Sequence, residues 1–203
     1  MRSLLIVIAV VGLLSACKQK ETPLPIFGER EFNGQDTTYH TIAHFSFVDQ
    51  DSAAVTNNTF KDKIYVADFF FTTCRTICPI MKTQMKRVYD ATANDPNVLI
   101  LSHTIDPEYD TVGLLHNYAN MLQVSSDRWH FVTGVKDSIY KIAQTSYFVT
   151  AREEQAEPDG FIHSGAFLLV DKHQRIRGKY DGTREADVDR LLKDIAKLEE
   201  EGE

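Results

Sequence analysis

Two short apolar runs set the frame for everything else this chain can form. Residues 64–71 are almost continuously apolar, and residues 98–101 repeat the pattern. Such runs read as strands buried on both faces of a sheet, because a strand with one wet face alternates apolar and polar side chains. Between them Met81, Met85, Val88 and Tyr89 recur at helical spacing. A strand, a helix and a second buried strand in that order predict parallel strands joined by a crossover, and so a layered α/β fold.

The pattern continues downstream. A second helix fits residues 111–122, with Asp110 or Thr111 as N-cap and Leu114, Leu115, Tyr118 and Leu122 on one face. A third covers about residues 136–146. Residues 166–170 and 176–180 read as a hairpin turning through Asp171, Lys172, His173 and Gln174, and a closing helix runs over about residues 185–198. Upstream, residues 45–48 and 53–56 predict an N-terminal β-hairpin extension. The sum is a thioredoxin-like fold, a central mixed sheet flanked by helices, in one domain over residues 41–199. A length of 203 residues suits one such domain and a short appendage. The net charge of −7, with no cluster of Lys or Arg, argues against a nucleic-acid partner.

The N-terminus carries its own signal. Arg2 precedes an apolar stretch over residues 4–14, which is shorter than the ~20 residues of a membrane-spanning helix and fits a signal peptide over residues 1–16. Leu14-Ser15-Ala16-Cys17 resembles a bacterial lipoprotein lipobox. That resemblance implies an acylated Cys17 in the lipid bilayer and an extracytoplasmic, membrane-anchored domain on the periplasmic side. Residues 17–40, with Pro23, Pro25, Gly28 and Gly34, read as a lipidated Cys and flexible tether.

Cys74 and Cys78 lie where the run 64–71 gives way to a helix, and Pro79 suits its first turn. Amides at a helix N-terminus, and Arg75 beside the thiols, are expected to ease their ionisation. On a helix, residues four apart have Cβ atoms ~5–6 Å apart, whereas a disulfide wants ~3.5–4.5 Å. A loop could still close the bond. Two sulfurs ~2.3 Å from one thiophilic ion tolerate a wider separation, so the spacing suits metal capture at least as well as oxidation. A structural disulfide is the bland reading.

Asp68 shares strand parity with Phe70 and Thr72 and resembles the buried strand Asp of thioredoxins. A buried carboxylate there would have a raised pKa and is the proton-transfer candidate; an Asp paired locally fits equally well. Soft thiolates favour Cu(I), and a site that also holds Cu(II) gains from an imidazole. Six of the seven histidines, His40, His44, His103, His116, His130 and His173, read as structural or solvated. His163 stands just before the strand 166–170, where thioredoxins place a proline against the Cys loop, and is the candidate third ligand. Asp106, Glu108 and Asp110 read as a turn and helix cap rather than a hard-metal site. Met81 and Met85 read as core.

Three motifs then occur in order: Asp68-Phe69-Phe70-Phe71-Thr72-Thr73-Cys74-Arg75-Thr76-Ile77-Cys78-Pro79, Ile105-Asp106-Pro107-Glu108-Tyr109-Asp110-Thr111 and Phe161-Ile162-His163-Ser164. From about residue 40 to 182 the chain resembles the SCO/SenC family of copper-binding thioredoxin-like proteins. The resemblance implies that Cys74, Cys78 and His163 ligate copper, as Cu(I) and/or Cu(II). It also implies a metallochaperone with no turnover of its own. Such a protein delivers copper to, or prepares the thiols of, the binuclear copper site of cytochrome c oxidase subunit II, or serves another copper-site protein. Where the family commonly has Pro and Asp inside the Cys loop, this chain has Arg75 and Thr76. Where an Asp often precedes the His, it has Ile162, which leaves Asp159 in the acidic loop 152–160, expected to be mobile, as a substitute carboxylate. The rival reading is an enzyme, a membrane-tethered thiol-disulfide oxidoreductase using Cys74 and Cys78. A sensor would leave no distinct mark.

Overall fold

The first apolar run forms β5 (Ile64–Phe70), buried along its whole length, and the second forms β6 (Val98–Thr104). They pair in parallel from Ile64↔Val98 to Phe70↔Thr104, joined by α1 (Cys78–Ala91). The computed structural model describes residues 22–154 and 160–201 and, of Ile162 and His163, the backbone. The signal peptide, Cys17 and Asp159 lie outside the described residues.

A second crossover through α2 (Val112–Leu122) brings β7 (Trp129–Thr133) parallel to β6. After α3 (Lys136–Thr145) the chain returns to the other side of β5. There β10 (Ala166–Val170) pairs antiparallel with both β5 and β11 (Ile176–Asp181), and α4 (Glu185–Glu200) closes the fold. The upstream hairpin of β3 (Ser46–Asp49) and β4 (Ala54–Thr56) extends the far edge by pairing β3 with β7. The sheet order is β11-β10-β5-β6-β7-β3-β4, a seven-stranded mixed sheet of thioredoxin-like kind.

Alternation along the strands divides the core. Asp68, Phe70, Ser102, Trp129 and Phe131 face α1 and α2, where Tyr118 stacks 5.6 Å from Phe70 and meets Phe131 edge-on at 5.5 Å. Phe69 and His103 face the other way, against Phe47 and Tyr147. Met81 and Met85 are fully buried, as core packing requires. Among the described residues no helix is long and apolar enough to cross a membrane.

Two features depart from the sequence reading. Residues 17–40, read as a flexible tether, are fastened to the body from Leu24 onward. The Leu24 amide donates to Glu201 Oε1 at 2.7 Å, the Arg177 guanidinium donates to the carbonyls of Leu24 (2.8 Å) and Pro25 (3.2 Å), and the Phe27 amide donates to the Ile176 carbonyl at 2.9 Å. A small hairpin, β1 (Arg30–Phe32) with β2 (Thr37–Tyr39), follows. The cause is Arg177. It is 2% exposed and a buried guanidinium must find acceptors, here Asp171, Glu201 and the backbone of this strap. The second departure is in the loop 152–160. It opens as β8 (Ala151–Glu153), which pairs antiparallel with β9 (Phe161–His163), so Arg152 and Glu153 belong to a ribbon rather than a mobile loop.

Candidate metal centre

The chain leaves β5 at Phe70 and turns at once, with the Cys74 amide donating to the Phe71 carbonyl at 3.3 Å. Helix α1 starts at Cys78, with Ile77 as an N-cap that provides no side-chain bond and Pro79 in the first turn. Both thiols are buried, Cys74 at 7% exposure and Cys78 at 2%, and they are not joined in a disulfide. They are hydrogen-bonded to each other. That bond and burial push the Cys78 thiol well above the ordinary thiol range, against the pull of a backbone hydrogen bond at Phe71 and the Lys82 ammonium. The expectation of an eased ionisation is therefore corrected for Cys78. Burial beside a second thiol outweighs its place at the helix N-terminus.

The loop is held by a carboxylate read from sequence as part of a turn and cap. Asp110 is fully buried; it accepts from the Thr72 amide at 3.1 Å, from the Thr72 hydroxyl, and from the Thr104 hydroxyl at 2.5 Å. The cap of α2 is Thr111, whose hydroxyl accepts from the Leu114 amide at 3.4 Å. Burial pushes the Asp110 carboxyl up, and the bonds from Thr104 and Thr72 draw it back.

Beneath the thiols lies an ion pair that the sequence reading missed in part. Asp68 is fully buried, and the Lys82 ammonium, itself 3% exposed, donates to Asp68 Oδ2 at 2.8 Å. The Ser102 hydroxyl donates to Asp68 Oδ1 and accepts from Trp129 Nε1 at 2.9 Å. The ammonium also sits 4.1 Å above the Phe70 ring. Lys82 stands one helical turn after Cys78, between Met81 and Met85 at core positions. An apolar-facing lysine at that spacing was the available signal.

A cavity of about 570 Å³ opens onto this arrangement, with Cys74, Cys78, Lys82, Tyr118 and Met121 in its wall. His163 enters through its backbone, which lies opposite Ala151 in the β8–β9 ribbon. Two residues before it, the Phe161 ring packs 4.9 Å from Phe71; two residues after it, a Cβ on Gly165 would lie 3.6 Å from the Ile77 side chain. The backbone at His163 is thus bracketed by contacts with both ends of the Cys loop. The other histidines lie elsewhere: His40 bonds the Ser146 carbonyl, His116 and His130 bond Asp51 and Asp49, His103 is in the core, and His44 and His173 are exposed. Among the described side chains no group of three His, Cys, Asp or Glu is gathered to hold a metal. The two sulfurs are a soft donor pair, suited to a thiophilic ion rather than a hard one.

Known proteins share both sequence and fold with this chain. The SCO1/SenC family model matches residues 33–200. A SCO1/SenC family lipoprotein from Bacillus anthracis is 25% identical, with a TM-score of 0.72 over 78% of this chain and 95% of its own. BsSco, described as carrying a disulfide switch and as a member of the Sco family of cytochrome c oxidase assembly proteins, is 30% identical, with a TM-score of 0.69 over 77% and 92%. ScoI of Bradyrhizobium japonicum, solved with copper bound, has the same fold at 24% identity and a TM-score of 0.65 over 78% and 99%.

Proposed function

The chain belongs to the SCO1/SenC family, and from that premise we propose that it is a copper metallochaperone holding its cargo through Cys74, Cys78 and His163. The observation that carries the reading is the buried, mutually hydrogen-bonded thiol pair at the start of α1, with the His163 backbone bracketed against the same loop. Copper replaces the thiol protons on entry, which a pair buried together would otherwise hold tightly. The recipient is the binuclear copper site of cytochrome c oxidase subunit II, or another protein's copper site. Transfer proceeds by exchange of ligands, as the soft, partly open donor set allows. The acylated Cys17 would hold the domain at the outer side of the membrane. Copper titration of the reduced protein tests the core of this. One copper should bind with a thiolate-to-Cu(II) charge-transfer band, and Cys74→Ala, Cys78→Ala and His163→Ala should each abolish it. Full copper affinity in His163→Ala would refute the ligand set.

A second reading, thiol-disulfide exchange, is favoured by the contact between the two thiols and by the disulfide switch described for BsSco. One thiolate attacks a partner's disulfide and the other resolves the mixed disulfide, with Asp68 as proton-transfer candidate. His163→Ala should spare that chemistry, so rapid reduction of a test disulfide without copper retention would put the enzyme first.

A further inference from the structure

The cavity wall that carries the sulfurs also carries a buried cation. Lys82 stands four residues after Cys78, on the same face of α1 one turn on, and lines the cavity at 3% exposure. The other basic groups of the cavity are nearer solvent and turn to partners of their own: Lys86 to Asp90 at 2.6 Å and Arg87 to Asp189 at 2.6 Å. Among the described side chains the remaining titratable groups at this face are Asp68, Asp110 and Tyr118. Replacing a buried ion pair by apolar side chains of similar size often costs nothing in stability, so an internal ammonium here invites a role in charge. Two thiolates and a neutral imidazole around Cu(I) carry a net charge of −1, and around Cu(II) a net charge of zero. In an interior of low effective dielectric a fixed positive charge beside the sulfurs favours the first.

We propose that Lys82 is the counter-cation of the dithiol site, biasing it toward Cu(I)-bound dithiolate over Cu(II)-bound dithiolate, with Asp68 as the anion that limits the bias. The proposal rests on the copper reading above. The change it governs is Cu(II) plus one electron giving Cu(I); both sulfur–copper bonds persist and no proton moves. Lys82 touches neither reactant and acts through its charge, as a positioning residue.

The test uses the full chain in detergent. Cu(I) and Cu(II) affinities are measured by ligand competition, and the midpoint potential is measured against small-molecule redox mediators. In Lys82→Met and Lys82→Gln the ratio of Cu(I) to Cu(II) affinity should fall about tenfold, a potential ~59 mV lower. An unchanged ratio overturns the proposal, even if both affinities drop together. Lys82→Met leaves the Asp68 carboxylate without its ammonium. If it does not fold, the double variant Lys82→Met/Asp68→Asn carries the test, since it strands no charge. Lys82 lines the cavity and Asp68 lies behind it, so the double variant should still show a ratio about threefold below the parent; equality with the parent overturns the proposal. If the parent protein holds no copper, the copper reading has failed and this proposal falls with it, whereas an unchanged ratio in a parent that does bind copper overturns the proposal alone.

Discussion

His103 shows how strongly one residue can couple this fold to pH. It is fully buried, stacked 4.8 Å from Phe69 with the Phe47 ring edge-on at 5.4 Å, and neither ring nitrogen has a hydrogen-bond partner among the described residues. Burial lowers its pKa to about 3. The unfolded chain takes up a proton here near pH 6.5 while the folded chain does not. Its share of stability is therefore intact above pH 6.5 and lost progressively as pH falls toward 3, at up to about 1.4 kcal/mol per pH unit. Urea unfolding between pH 4 and 7 should show a flatter dependence in His103→Phe by about one proton; parallel curves would refute the account. Cys78 works in the opposite sense. Its thiol is held protonated by Cys74 and burial, so copper uptake must expel protons. Apparent copper affinity should rise about tenfold per pH unit for each proton displaced, and competition titrations at pH 6, 7 and 8 would reveal a pH-independent affinity if this is wrong.

At the scale of elements, the loop between β5 and α1 depends on Asp110, which grips Thr72 from the loop that follows β6. Hydrogen bonds to a charged acceptor contribute ~1.5–3 kcal/mol each, so Asp110→Ala should destabilise the protein by about 3 kcal/mol and release copper faster, with Asp110→Asn milder on both counts. Equal copper release rates in parent and Asp110→Ala would mean that the loop is held by other contacts. The elements around this loop were legible because burial marks the sequence: β5 and β6 are near-continuous apolar runs, α1 and α2 carry apolar residues at helical spacing, and the β10–β11 hairpin is two short segments flanking a turn. The β1–β2 hairpin and the β8–β9 ribbon are built of three-residue strands, too short to carry an apolar period, and β1, β2 and β8 expose most of their side chains. The placement of Cys74 and Cys78 between β5 and the start of α1, and of His163 just before β10, was legible from spacing and order. Asp110 was not, because an acidic residue beside Thr111 looks like a cap, and only the fold brings it against Thr72. Lys82 was obscured by the usual rule that lysines on helices face water.

At the scale of the molecule, β5 separates two poles. The thiols lie beyond its last residue, while Arg177 and the strap at Leu24 lie at the end where it begins, since Val170 pairs with both Tyr65 and Ile176. Arg177 holds Asp171 at 3.2 Å and Glu201 at 2.5 Å in near-complete burial. Arg177→Met should cost about 3–5 kcal/mol by stranding those carboxylates and should expose the strap to proteolysis; a melting temperature equal to that of the parent would deny it that role. The strap also governs stance. Between residue 17 and Leu24 only six residues intervene, seven residue steps and so a leash of at most ~25 Å at full stretch. Were Cys17 acylated as proposed, a domain held by that leash would have its footing at the strapped pole and would lift its thiols away from the bilayer. The six residue steps of β5 add about 20 Å of height at ~3.3 Å each. A partner would then have to offer its own metal site well clear of the lipid headgroups to meet them.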